Sequence, residues 1–101
     1  MLTPHQERQA HELHELIREI AAKHNISTEH LIGHNRRAGV VWVRFEIMHR
    51  ARHDLGMSYK LIGRVLGGRD HTGIMHGVKR YESWRTHGNL NNRANRNNPG
   101  A

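Results

Sequence analysis

Cysteine is absent from the chain, which excludes disulfides and thiolate chemistry and gives no sign of an oxidising compartment. Long apolar runs are missing too, so no segment approaches membrane-spanning length. The N-terminus is polar and acidic from His5 to Glu19, unlike a signal peptide, and a cytoplasmic location is expected. Aromatic residues are scarce at 5%. The elements must therefore share their burial closely, with Trp42, Phe45, Tyr59, Tyr81 and Trp84 as the bulky core candidates. Strand-like alternation is also lacking: Val40-Val41-Trp42-Val43 is β-prone, but its continuation through Ile47, Met48, Ala51 and Leu55 follows helical spacing. No serine is paired with a base at motif spacing and the carboxylates are scattered, so no enzyme and no cofactor are expected.

What is present reads as helix after helix. Thr3-Pro4-His5-Gln6 combines a cap residue, proline at the first helical position and glutamine at the capping-box position. An apolar stripe of Ala10, Leu13, Leu16, Ile17, Ile20 and Ala21 follows, and Asn25 ends it. Ser27 caps a short second helix through Leu31-Ile32, which Gly33 closes. A loop from Gly33 to Gly39 leads to a third helix from about Val40 to Leu55, ended by Gly56. Ser58 caps a fourth, with Leu61, Ile62, Val65 and Leu66 at helical spacing. After Gly67-Gly68, Asp70 caps a fifth, carried by Ile74, Met75, Val78 and Tyr81. An all-α bundle of about five helices is expected over residues 1–85. The remainder, 86–101, is rich in asparagine and has almost nothing to bury, so a disordered tail is expected.

Charge is unevenly distributed. The formal net charge is +7, yet residues 1–25 carry net −1. Residues 26–84 hold ten Lys/Arg against five Asp/Glu, and Arg85, Arg93 and Arg96 supply the rest. The positive region coincides with the last two helices and the loop before the third, the footprint of a polyanion-binding surface. No segment joins a basic face to a wide apolar one, so a membrane is not the expected partner.

Residues 58–84 read as a helix-turn-helix: two short helices joined by a tight glycine turn. His71, Thr72 and Gly73 fall in the first turn of its second helix, where recognition side chains meet base edges in the major groove. Gly63-Arg64-Val65-Leu66-Gly67-Gly68-Arg69-Asp70-His71-Thr72, followed by Ile74, Met75 and His76, closely resembles the signature of the C-terminal DNA-binding domain of the bacterial replication initiator DnaA. Upstream, Ile20-Ala21-Ala22, Ile26-Ser27-Thr28-Glu29-His30-Leu31, the basic pair Arg36-Arg37 and Arg44 continue the resemblance, which runs from about Ile17 to Trp84.

The resemblance implies a Trp-repressor-like all-α fold that binds double-stranded DNA as DnaA boxes are bound, in replication or transcription control. It assigns Asp70, His71 and Thr72 to base and backbone contacts, Arg36 to the minor groove and Arg44 to a phosphate. Arg37 belongs to the same basic loop, and Lys60 and Arg69 are further phosphate candidates. Gly73 stands where the family usually has a second threonine, Val43 where it has proline, and His34, Asn35 and Ala38 where it carries further basic residues. The chain lacks a Gly-x-x-x-x-Gly-Lys-Ser/Thr loop, so no nucleotide and no ATPase are expected, and the domain is read as a stand-alone regulator.

Two other readings compete. The first helix could bind a protein partner, or a second copy through its apolar stripe, which makes an interaction adaptor the rival function. Eleven histidines raise metal chemistry. The pairs His11 with His14, His30 with His34, and His49 with His53 could each share a face. A zinc site needs three or four converging ligands, none is evident at a known spacing, and no metal and no metal-dependent nuclease are expected.

Overall fold

Each of four helices starts where a short polar side chain satisfies the first free amides. In the computed structural model, which describes residues 1–88, these are α1 (Pro4–His24), α2 (Thr28–Ile32), α4 (Tyr59–Val65) and α5 (His71–Ser83). Thr3 accepts from the Gln6 N–H at 3.1 Å while Gln6 accepts from the Thr3 N–H at 2.9 Å, closing the capping box of α1. Ser27, Ser58 and Asp70 accept from His30, Leu61 and Thr72. The remaining helix, α3 (Ala38–His53), has no side-chain cap. The chain turns into it through Asn35, whose side-chain oxygen accepts from the Arg37 N–H at 2.9 Å. Ala38 and Gly39 join this helix, so it begins two residues before the expected Val40.

α3 is the central element and touches all four of the others. Its apolar residues consequently point to several sides. The core is aliphatic: Leu13, Ile17 and Ile20 of α1, Leu31 of α2, Ile47 and Ala51 of α3, Ile62 of α4 and Ile74 and Val78 of α5, with Met57 and Leu66 from the connections. The α1 stripe is thereby spent inside its own fold, and Gln9 anchors the helix further by donating to the Leu55 carbonyl at 2.9 Å. The five aromatic residues do not fill this core. Trp42, Phe45 and Tyr81 are half-buried and Trp84 is 39% exposed. They form an edge-to-face and tilted cluster along the rim between α3 and the end of α5, while Tyr59 lies beneath the Arg52 guanidinium, 4.5 Å away. α5 approaches α3 closely at Gly77, where an added Cβ would meet Met48 Sδ at 2.5 Å and the Phe45 ring at 2.9 Å.

The turn between α4 and α5 is tight for two reasons. Gly67 and Gly68 both adopt positive φ, 77° and 78°, which glycine accepts without a Cβ clash. Gly63 lets the returning chain touch α4: Arg69 N–H donates to the Gly63 carbonyl at 2.7 Å, and a Cβ on Gly63 would overlap the Arg69 carbonyl. Beyond α5 the chain continues as a π-helical turn over Trp84–Gly88, so regular structure passes the expected boundary at residue 85. The rest of the asparagine-rich tail lies outside the described residues.

Candidate nucleic-acid interface

A short helix such as α2 ends with carbonyls that have no partner within it. Here two arginines supply the partners. Arg44, on α3 and only 6% exposed, donates from Nε to the Leu31 carbonyl at 2.7 Å. Its Nη2 reaches the carbonyls of His30, Asn35 and Gly33 at 2.9, 3.1 and 3.2 Å. Arg69, from the turn before α5, donates through Nη1 to Ile32 at 2.6 Å and to Leu66 at 2.7 Å, and through Nη2 to Gly33. Cations at this negative end of α2 also suit its dipole. Burial first, then the like charge of Arg69, lowers the Arg44 pKa below the usual arginine value. Burial does the same to Arg69.

This differs from the expectation that Arg44 and Arg69 serve phosphates. Arg44 spends Nε and Nη2, and Arg69 both Nη groups, on backbone carbonyls, which the five donors of a guanidinium fork can satisfy together. The consequence is positional. One arginine from α3 and one from the helix-turn-helix grip the same strand of chain from His30 to Asn35, so the loop carrying Arg36 and Arg37 and the start of α5 share one platform.

The other sequence-derived residues lie at the surface. Arg36, Arg37, Lys60, Asp70, His71 and Thr72 are all exposed. Asp70 Oδ2 accepts from the Thr72 N–H at 3.0 Å, and this backbone bond is the main cause holding its carboxyl below the usual range. Its Oδ1 lies 3.6 Å from His71 Nδ1, which leaves both side chains at the mouth of α5. The buried face of α5 is Ile74, Gly77 and Val78; its exposed face continues from Thr72 through His76 to Lys79 and Arg80. His76 and Lys79 were not among the expected site residues, although their spacing from Thr72, one and two helical turns, was available to find them.

A capped, polar-faced helix crossing a shorter one through a glycine turn, with a basic loop tied beside it, defines a helix-turn-helix module of the nucleic-acid-binding class. Residues 13–80 match the family model described as bacterial dnaA protein helix-turn-helix. The chain belongs to that family, whose module binds DNA through its helix-turn-helix. It is 41% identical over 69 residues to a chromosomal replication initiator protein DnaA of Thermomicrobium roseum, a match covering 67% of this chain and 15% of the relative. Proteins of the same name from Cereibacter sphaeroides and Oenococcus oeni are 39% identical over 70 residues and 38% over 61, covering 69% and 60% of this chain and 15% and 14% of theirs. The chain thus spans about one seventh of the length of these curated relatives. The comparison with solved structures gave no significant match. Among the described residues no helix is long and apolar enough to cross a membrane.

Proposed function

We propose that this chain reads a specific duplex sequence in two grooves at once, as DnaA boxes are read. α5 enters the major groove with His71 and Thr72 at base edges and Asp70 both capping and contacting, while Arg36 enters the adjoining minor groove. Arg37 and Lys60 meet phosphates on either side. The observation that carries this reading is the shared platform: Arg69, next to the Asp70 cap of α5, bonds Ile32 and Gly33 where the basic loop leaves α2, and Arg44 bonds Asn35 within that loop. Without that tie an exposed loop would sample many positions and ordering it on DNA would cost affinity. The relatives' name, chromosomal replication initiator protein, makes replication control the first setting to examine.

Selection of bound sequences from a random duplex pool tests the proposal. One recovered consensus, with affinity that falls steeply as salt rises, is expected. Recovery of no consensus would reject sequence reading.

The rival partner reading now rests on a different surface. The apolar stripe of α1 is buried within the fold, so a partner would meet its outward charges, Glu12, Glu15 and Glu19, all exposed. Pull-down of a partner by the DNA-free protein, lost on Glu12→Lys with Glu15→Lys, would support that surface. Unchanged capture would exclude it.

A further inference from the structure

The histidine pair His49 and His53 lies at i,i+4 on α3, and the fold brings a third ligand type to it from 29 residues away. Glu82, in the last turn of α5, places Oε2 at 2.7 Å from His53 Nε2 and 3.5 Å from His49 Nε2. One donor atom from each of the three lies within 4.8 Å of the others. Four-coordinate zinc, with bonds of about 2.1 Å, separates its ligand atoms by about 3.4 Å, so the cluster needs only small side-chain rotations to close on an ion. His49 is well shielded, at 13% side-chain exposure, whereas His53 and Glu82 are half-exposed. The two imidazole rings are tilted by 39° with centroids 4.4 Å apart, and the Tyr81 ring lies 5.1 Å from His49. A shallow depression bordered by His49, Glu82, Arg85 and Thr86 opens beside them. The other charges acting on His49 are Arg85 and Asp54, which are opposite in sign.

We propose that His49, His53 and Glu82 form a three-ligand site for a zinc-class divalent ion, which clamps the end of α5 onto α3. Two imidazoles and one carboxylate suit late first-row dications such as zinc, and the depression leaves a fourth position for water. Glu82 stands twelve residues beyond Asp70, about 18 Å along the helix axis, so the ion acts on the packing of α5 and not at the DNA-reading end. The other histidine pairs named from the sequence do not gather a third ligand among the described residues.

The test is titration of the metal-free full chain with Zn2+ and with Co2+, in the unmutated protein and in the variants His53→Gln, Glu82→Gln and, as a control for the remaining histidines, His11→Gln. The unmutated protein should bind one equivalent, melt at higher temperature with Zn2+ and give with Co2+ the intense visible band of four-coordination. His53→Gln and Glu82→Gln should each weaken this binding at least ~tenfold and abolish the band, with His11→Gln unchanged. In the unmutated protein, Co2+ should also shift the ring protons of His49 and His53 most among the histidines. That readout stands even if a variant fails to fold. Absence of a one-equivalent site, equal binding by all variants, or largest shifts at other histidines would overturn the proposal and leave His53 and Glu82 as a plain ion pair.

Discussion

Replacing Arg44 with methionine separates a structural arginine from a phosphate-binding one. Methionine keeps the length and apolar stem but removes every donor, so the carbonyls of His30, Leu31, Gly33 and Asn35 lose a partner together. The Leu31 bond is buried, and stranding that oxygen costs about 1–3 kcal/mol. The other three bonds lie at the edge, where water can enter, and about 0.5–1 kcal/mol each is a fair cost. Relief of the guanidinium's own desolvation offsets part of this, leaving a net loss of about 3 kcal/mol. A domain of this size loses roughly 4–8 °C of melting temperature per kcal/mol, so a fall of roughly 12–24 °C is expected in a thermal melt followed by circular dichroism. DNA affinity measured below the new transition should also drop, because the Arg36 loop is no longer anchored. Arg44→Lys should recover little, since one ammonium cannot reach carbonyls on several sides. A loss of stability under about 1 kcal/mol, together with a log-log salt slope lowered by about one unit, would make Arg44 a phosphate contact instead.

Three further outcomes follow from the same geometry. Thr72→Ala should cost about 1–3 kcal/mol on the preferred duplex and much less on random DNA, measured by fluorescence anisotropy; equal losses would deny base reading at that position. Gly63→Ala should destabilise by at least ~1–3 kcal/mol, since the new methyl meets the Arg69 backbone rather than a movable side chain, whereas a neutral change in denaturant midpoint would contradict the close approach of turn and helix. The Asp70 carboxyl is held low by the Thr72 N–H. Its capping contribution is therefore complete above the ordinary carboxylate pKa of about 3.9 and fades as pH falls through the lower folded value. The Thr72 amide resonance should titrate below that ordinary value and stop doing so in Asp70→Asn; a midpoint at or above it would show that the cap is not formed.

The helices were largely legible because their boundaries are chemical. Thr3, Ser27, Ser58 and Asp70 each do at their helix start what a free hydroxyl or carboxyl can do locally, and Gly67-Gly68 announce a backbone that other residues avoid. The start of α3 was less legible, since Arg37 offers no side-chain cap and the turn is set by Asn35 two residues earlier. The positions of the aromatics were not legible at all. Nothing in the local sequence reveals that Gly77 lies close against Met48 and Phe45 of α3 or that Trp42 and Trp84 meet at the rim. In the site, exposure of Arg36, Lys60 and Thr72 agrees with their polar, helix-start or loop positions. Arg44 and Arg69 look like any surface cations in sequence; their engagement depends on carbonyls 9 to 14 and 36 to 37 residues away, at a helix end only the fold supplies. Glu82 joins the histidine pair for the same long-range reason.

The two-groove reading is tested most directly by repeating the random-duplex selection with Arg36→Ala beside the unmutated protein. A narrow A·T-rich minor groove concentrates negative potential and draws in an arginine. The variant should recover the same central bases read by α5 but lose preference for A·T pairs on the flank facing the loop. Recovery of an unchanged site, flanks included, with binding merely weaker on every sequence, would contradict it and make the loop a phosphate clamp.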